Sequence, residues 1–264
     1  MPAGEMKKKA FMMLYDSHCH LDMLSKPELA EALAAAKRAG VAGMISCSTS
    51  FSSCQRNLEI ASLHGEVRAA LGLYPLDALG FSDEQLDRAF DFFRQNASKK
   101  EVAGIGEVGL DYKLCVGKEE HEKQAGILRR FAALSKESGK PLVMHSRYAQ
   151  RQALALLVEE GAEKVLMHSF VDSSKLMKKA AESGFFVSVG MCVLENEEVQ
   201  KRVAAFPIEN LLFETDAPIR FNNEKAMPEK VAMIARKVAE LKGVPLDELE
   251  KAQEKSFGAL FGFK

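Results

Sequence analysis

Four of the six histidines in this sequence, and two of its carboxylates, each follow a short apolar run. They are His18, His20, Glu107, His145, His168 and Asp216. Imidazole nitrogens together with carboxylate oxygens suit zinc, manganese and similar divalent ions, and a carboxylate can bridge a pair of them. A single histidine in such a position is most often only hydrogen-bonded, but coincidence at five separate runs favours a shared metal site. Because side chains alternate along a strand, we expect His18 and His20 to point the same way, with Cys19 opposed.

The apolar runs that precede these residues alternate with amphipathic helical segments over the whole chain. We predict eight strands, at residues 11–18, 41–48, 67–73, 102–106, 142–145, 165–168, 185–189 and 211–216. Eight strand–helix units predict an α/β protein with a single (β/α)8 TIM barrel, in which the carboxyl ends of the strands hold the active site. An open doubly wound sheet is the alternative. It would usually carry a glycine-rich phosphate loop after the first strand, where Asp-Ser-His-Cys-His stands instead.

Length and composition agree with one barrel. The 264 residues are 47% hydrophobic and 28% charged, as in globular proteins, and no linker or repeat beyond the strand–helix period interrupts them. We therefore expect one domain over residues 1–264, with residues 1–10 as a flexible N-terminal extension. The net charge of −1 excludes a strongly basic protein that binds nucleic acid without specificity, so any role on nucleic acid must depend on a local site.

The cysteines and the apolar stretches indicate the compartment. The five cysteines are widely spaced and form no C-x-x-C pair, so neither a disulfide framework nor a zinc ribbon is expected. No apolar stretch reaches the ~20 residues that span a bilayer. The apolar run after the lysines at 7–9 is too short for a signal peptide. We expect a cytoplasmic protein without a membrane partner.

Three further residues stand beside the predicted metal site and are candidates for substrate binding. Arg147 follows His145 by two residues, so it faces the same side of the strand and can meet an anionic substrate. A structural salt bridge fits this arginine equally well. Asp111 and Tyr112 come shortly after Glu107 and can line the mouth of the barrel, although a capped turn explains the aspartate equally well.

Four motifs, in this order, resemble the TatD family of metal-dependent deoxyribonucleases. They are Asp-Ser-His-Cys-His-Leu-Asp (16–22), Gly-Glu-Val-Gly-Leu-Asp-Tyr (106–112), Met-His-Ser-Arg (144–147) and Glu-Thr-Asp-Ala-Pro (214–218). The resemblance covers nearly the whole chain, and the second and fourth motifs together are highly specific. It implies a metal-dependent hydrolase with a TIM barrel of the amidohydrolase type. It also implies divalent ions, two per chain (zinc, magnesium or manganese), and hydrolysis of phosphodiester bonds in DNA, typically from the 3′ end.

The resemblance also implies a role for each residue. His18 and His20 would bind one ion together with Asp216, Glu107 would bridge, and His145 and His168 would bind the second ion. Asp216 and Glu107 are the expected catalytic residues, with Asp216 orienting or deprotonating a metal-activated water. Arg147 would bind the phosphate. The expected substrate is single-stranded DNA or a DNA 3′ end, and no obligate protein partner is indicated.

Three departures from the family pattern surround the predicted metal site. Where the family commonly has Gly-x-His-Pro-His after strand three, residues 72–76 read Gly-Leu-Tyr-Pro-Leu, so both histidines that would meet substrate are missing. The arginine and proline of the usual Arg-Asn-Glu-Pro region are displaced after Asp216. An asparagine expected near the C-terminus is replaced near Ser256 and Phe257.

These departures leave a second function open, in which the same site hydrolyses an amide, a lactone or an aminoacyl ester. Arg147, and the lack of a carboxylated-lysine signature at strand four, favour the nuclease. A third alternative is a barrel that serves only as a binding or scaffold subunit. Loss of a ligand candidate would support that alternative, and none of the six is lost.

Overall fold

A computed structural model describes residues 13–171 and 173–263, and its centre is a barrel of eight parallel strands. The strands are β1 (Leu14–Cys19), β2 (Val41–Cys47), β3 (Val67–Leu71), β4 (Val102–Asp111), β5 (Leu142–Arg147), β6 (Val165–Met167), β7 (Phe186–Val189) and β8 (Leu211–Phe213). Each strand pairs with the next one along the chain. The two ends of the sheet meet where the Ser17 hydroxyl donates to the carbonyl oxygen of Phe213 at 2.8 Å. The predicted (β/α)8 barrel is therefore confirmed.

Helices connect the strands and cover the outside of the barrel. They are α1 (Lys26–Arg38), α2 (Phe51–Leu63), α3 (Pro75–Leu79), α4 (Asp83–Ala97), α5 (Lys118–Ser138), α6 (Gln150–Glu159), α7 (Ser174–Glu182), α8 (Glu197–Ala205), α9 (Val231–Lys242) and α10 (Leu246–Phe261). Single 3₁₀ turns lie at Leu21–Met23, Met191–Leu194, Ile208–Asn210 and Pro228–Lys230. Ser25 begins α1 with a capping box, in which its side chain accepts from the Glu28 amide and the Glu28 carboxylate accepts from the Ser25 amide. Because each helix returns the chain to the start of the next strand, the loops after the strands gather at one end.

The amino end of the barrel is closed by apolar side chains of β1 and α10. The ring of Tyr15 stacks on Phe257 with centroids 4.5 Å apart, and Phe261 packs against Phe257 at 5.0 Å. These rings belong to one buried cluster with the inward-facing residues of the strands. Nε2 of Gln253 donates to the carbonyl oxygen of Leu211 at 2.6 Å and so fixes α10 to the start of β8. We call this group of rings the apolar plug. It closes one end and leaves the other open to solvent.

Several local features differ from the sequence-based expectation. β4 does not end at residue 106 but continues to Asp111, and its pairing with β5 is irregular between Gly106 and Val108. Glu107 therefore sits at a bulge, a feature that redirects a side chain next to functional sites. Periodicity also fails to predict α3 and the hairpin of β9 (Arg220–Phe221) and β10 (Glu224–Lys225), because these elements are only two to five residues long.

Two expectations about the chain as a whole remain. Residues 1–10, predicted to form a flexible extension, lie outside the described residues. In the part of the chain that the structure describes, no helix has both the length and the apolar character needed to cross a bilayer.

Candidate metal centre

All six predicted metal-site residues lie at the carboxyl end of the barrel. His18 is in β1, His20 directly follows it, Glu107 is in β4, His145 is in β5, His168 directly follows β6, and Asp216 comes three residues after β8. Five of these side chains are at most 12% exposed, whereas that of Asp216 is 35% exposed. Five strand ends that are distant in sequence thus supply one buried cluster with a single more accessible carboxylate.

Two histidine nitrogens of this cluster lie close to each other and to two carboxylate oxygens. Nε2 of His18 lies 3.1 Å from Nε2 of His20. Oε2 of Glu107 lies 3.6 and 3.4 Å from these two nitrogens, and Oδ1 of Asp216 lies 3.5 and 3.2 Å from them. Ligands placed tetrahedrally at roughly 2.1 Å from one ion would be about 3.4 Å from each other. The observed spacing of the donor atoms therefore fits a common divalent ion.

Hydrogen bonds made by Nδ1 of His20 and of His168 determine which nitrogen of each ring faces the cluster. Nδ1 of His20 lies 2.9 Å from the carbonyl oxygen of Cys47, and because a carbonyl only accepts, Nδ1 carries the proton. Nδ1 of His168 likewise donates to Oε2 of Glu214 at 2.9 Å, and the Ser188 hydroxyl donates to the same oxygen. In the neutral form of both rings Nε2 therefore carries the lone pair, as a metal ligand requires.

His145 is oriented in the opposite sense. Its Nε2 lies 3.2 Å from the Tyr74 hydroxyl, which accepts its proton because the hydroxyl donates its own hydrogen to Asp111, and 3.4 Å from Oδ2 of Asp111. Nδ1 is then the free nitrogen, and it lies 2.8 Å from Oε1 of Glu107 without forming a hydrogen bond. Glu107, His145 and His168 also form a group whose donor atoms lie within 4.8 Å of one another. A buried nitrogen without a hydrogen bond, facing a carboxylate, is an arrangement that a cation would satisfy, so the residues fit a second ion as well.

Burial and mutual attraction shift the pKa values of the cluster. Burial opposes the charged form of His20, but the carboxylates of Asp216 and Glu107 raise its pKa to about 9. Burial also opposes the charged form of His168, but the carboxylate of Glu214 raises the pKa of this histidine to about 10. Burial would raise the pKa values of Glu107 and Asp216, yet the surrounding histidines hold both well below their usual range. The positive charge of protonated histidines offsets the negative charge of the carboxylates here. A divalent cation can replace these protons, since metal binding releases protons from its ligands.

A cavity of about 350 Å³ opens above the cluster, and among the described residues that line it Arg147 is the only lysine or arginine. Nε and Nη2 of Arg147 donate to Oδ2 of Asp111 at 3.0 and 2.6 Å. The Tyr74 hydroxyl donates to the same oxygen at 2.5 Å. Burial would raise the pKa of Asp111, but His145, Arg147 and Tyr74 hold it well below the usual value. The guanidinium is thus held in a fixed position at the wall of the cavity.

The three predicted substrate-binding residues therefore lie in different places. Arg147 lines the cavity, whereas Asp111 is fully buried beneath it and positions the guanidinium. The ring of Tyr112 stacks on His121 with centroids 3.5 Å apart, and it is not among the described residues that line the cavity.

Sequence reasoning gave no role to two residues that support the site, Tyr74 and Glu214. Tyr74 lies in the segment where the family pattern has histidines, so the motif marks the position but not the hydrogen bonds that a tyrosine makes there. Glu214 precedes Asp216 by two residues within the Glu-Thr-Asp-Ala-Pro motif. The signal available for Glu214 was that a metal-binding histidine usually donates its second N–H to a carboxylate or a carbonyl.

Comparison with known proteins agrees with this geometry. The model of a family described as TatD related DNase matches residues 15–262. The metal-dependent hydrolase YabD of Bacillus subtilis strain 168 is 29% identical over 258 residues, which cover 94% of this chain and 99% of YabD. Deoxyribonuclease TATDN3 of Homo sapiens is 30% identical over 252 residues, which cover 89% of this chain and 90% of TATDN3.

A solved structure resembles the whole barrel. The crystal structure of YJJV, a TatD homolog from Escherichia coli K12, superposes with a TM-score of 0.87 at 26% sequence identity. The match covers 96% of this chain and 100% of the YJJV chain.

Proposed function

The chain belongs to the TatD family, and we propose that it is a phosphodiesterase that removes nucleotides from the 3′ end of single-stranded DNA. Membership confirms the resemblance seen in the four motifs, and it makes the chain a metal-dependent hydrolase that acts on ester bonds. The observation that carries the proposal is the pair of histidine nitrogens 3.1 Å apart, each within 3.6 Å of an oxygen of Glu107 and of Asp216, beneath a cavity whose wall holds an arginine. The name of the human relative, a deoxyribonuclease, supports DNA as the substrate.

We assign the six cluster residues to two divalent ions, with zinc, manganese and magnesium as candidates. His18, His20 and Asp216 would bind one ion, His145 and His168 the other, and Glu107 would bridge them. When bound, such ions supply a nucleophile from water at neutral pH and neutralise charge that develops on phosphoryl oxygens.

Asp216 is the carboxylate best placed to handle a proton. Its side chain is the most exposed of the six, so a water molecule in the cavity can reach it, whereas Glu107 is almost wholly buried. Its pKa lies well below the usual value because His18 and His20 stabilise the charged form, so the carboxylate is ionised at neutral pH. We therefore assign Asp216 as the residue that orients the attacking water and accepts its proton.

Arg147 would bind the phosphate group that is cleaved. Its bond to Asp111 fixes the plane of the guanidinium, and such preorganised planar donors suit phosphate oxygens. Because Asp111 is itself held by Tyr74 and His145, the phosphate-binding group and one metal ligand are positioned by the same hydrogen bonds.

The proposal is tested by cleavage of a 5′-labelled single-stranded oligonucleotide. Metal-free protein receives Mg²⁺, Mn²⁺ or Zn²⁺ in turn, with Glu107→Ala as the control. We expect a metal-dependent ladder that shortens from the 3′ end and is absent in the control. No cleavage with any metal, in protein that demonstrably binds them, would contradict the nuclease function.

One observation favours a second candidate function, hydrolysis of an uncharged ester, lactone or amide. The carboxylate of Asp77 lines the same cavity as Arg147, so the side chains above the metal cluster carry as much negative as positive charge. A panel of aryl esters and lactones, assayed beside the oligonucleotide with the same metal, separates the two candidates. Asp77→Asn should improve cleavage of the oligonucleotide if the substrate is anionic, and should leave hydrolysis of an uncharged ester unaffected.

A further inference from the structure

Tyr148 presents an aromatic ring to solvent at the mouth of the barrel. It directly follows Arg147, the last residue of β5, and is 68% exposed. Its φ of 57° lies in the left-handed region, which is unfavourable for a residue with a bulky side chain and persists only where the surrounding structure imposes it. The fold thus maintains a costly backbone conformation at the residue that exposes this ring.

The loop after β4 places a cation beside the ring. The amide of Tyr112 donates to the carbonyl oxygen of Arg147 at 2.8 Å, so this loop lies against the end of β5. Nζ of Lys113 is 5.9 Å from the centroid of the Tyr148 ring, near the outer limit of a cation–π contact. Leu114 in the same loop is also exposed. An aromatic face, an apolar neighbour and an ammonium group therefore occur together next to Arg147.

The charge of the two loops suits a polyanion. The loop after β4, residues 112–117, contains Lys113 and no acidic residue, and Arg147 ends β5 directly before Tyr148. Lys113 and Arg147 can therefore attract the phosphates of a nucleic-acid strand that approaches this side of the cavity.

We propose that Tyr148 and Lys113 form a nucleobase-stacking platform, which binds the nucleotide adjacent to the one whose phosphate lies at Arg147. This inference rests on the proposed phosphodiesterase function and adds a binding site to it. Every base has a π-face, so a tyrosine can bind a strand without sequence preference, and the lysine can meet the neighbouring phosphate. A base can stack on the ring only when it has left its duplex neighbours, so the platform selects a single strand.

The first test measures kcat/KM of the metal-loaded enzyme on two oligothymidylates, one intact and one with a single abasic site next to the 3′-terminal linkage. The wild type should prefer the intact strand, since loss of one stacked base typically lowers binding roughly 5- to 150-fold. Tyr148→Ala should lose this preference, so that its ratio of the two kcat/KM values approaches one. Tyr148→Phe, which keeps the aromatic face, should restore the preference.

The second test uses the absence of tryptophan from the sequence. Tyr148→Trp places a single fluorophore on the platform, and Leu63→Trp places one at the exposed end of α2, at the opposite end of the barrel. An oligothymidylate with non-hydrolysable 3′ linkages should quench the first protein and not the second.

The outcomes separate the platform from the chemistry. Cleavage of DNA with an unchanged base preference in Tyr148→Ala, or equal quenching at both tryptophans, would overturn the platform and leave the phosphodiesterase intact. No hydrolysis of either strand by the wild type would overturn the phosphodiesterase, and the fluorescence experiment would still decide whether the platform binds single strands.

Discussion

The two ends of the barrel are built from the same strands and have opposite properties. At the amino end, Tyr15 of β1 stacks on Phe257, and the apolar plug excludes solvent. Three and five residues further along the chain, at the carboxyl end, His18 and His20 face carboxylates across 3.2 to 3.6 Å. The amino end stabilises the fold by burying apolar rings. The carboxyl end instead holds carboxylates close to one another and histidines close to one another, and a bound cation would reduce this repulsion between like groups.

Strained backbone conformations also occur at the carboxyl end of the barrel. Tyr148, Ser169 and Asp216 adopt positive φ values, and each lies just after a strand at the carboxyl end. Non-glycine residues in this region cost about 1 to 3 kcal/mol each and concentrate at functional sites. The amino end thus stabilises the fold and the carboxyl end carries the chemistry, so mutations at the two ends should have separable effects.

The largest effect is expected from Glu107→Ala at the carboxyl end. Loss of the bridging carboxylate should lower kcat/KM by at least about a thousand-fold, because bound ions contribute several kcal/mol to transition-state stabilisation. The thermal unfolding midpoint of the metal-free protein should stay close to that of the wild type, since this end contributes little apolar burial. Steady-state kinetics and calorimetry on the same preparation check both statements. Retention of full activity would remove the basis for the site assignment.

Phe257→Ala tests the amino end. Removing a fully buried ring should reduce the free energy of unfolding by about 3 to 5 kcal/mol. Phe257→Leu, which fills more of the same space, should lose less. Urea unfolding measures the loss, and kcat at a temperature where the variant is folded should match that of the wild type. A large fall in kcat with unchanged stability would show that the two ends are not separable.

Glu214→Gln tests how the metal ligands at the carboxyl end are supported. Glu214 does not bind metal itself but accepts a hydrogen bond from His168, a proposed metal ligand. The amide keeps the shape of the side chain and loses the charge that orients and polarises His168. Metal affinity should fall about 10- to 100-fold, the typical consequence of removing such a partner. Competition with a chelating dye measures the affinity. Glu209→Gln at the exposed amino end is the matched control and should bind metal like the wild type.

Tyr74→Phe should have the smallest effect. The ring remains, but the hydroxyl that donates to Asp111 and accepts from Arg147 is lost. One such hydrogen bond contributes about 1 kcal/mol, so KM for the oligonucleotide should rise roughly 5-fold with little change in kcat. Tyr112→Phe, whose ring lies outside the cavity, serves as the control. A fall in kcat instead of a rise in KM would mean that the hydroxyl takes part in the chemical step.

Sequence reasoning predicted the barrel because its signal repeats: eight apolar runs alternate with helical segments, and each unit reinforces the next. It also brought together the six cluster residues, since the position after a strand determines the end of the barrel at which a side chain lies. It could not predict that β4 continues to Asp111, or that Asp111 lies under Arg147, because these depend on the irregular pairing at Glu107. The partners of the histidine rings, Cys47, Tyr74 and Glu214, depend on rotamers and distances that no periodicity encodes.

The central claim is that the histidine and carboxylate cluster binds divalent ions, and the most direct test is metal content. Wild-type protein and a His18→Ala, His20→Ala double variant are equilibrated with Zn²⁺ or Mn²⁺, dialysed against metal-free buffer, and analysed for bound metal per chain. We predict that the wild type retains close to two ions and that the double variant loses at least one of them. A wild-type protein that retains none, or a double variant that retains as many as the wild type, would contradict the account.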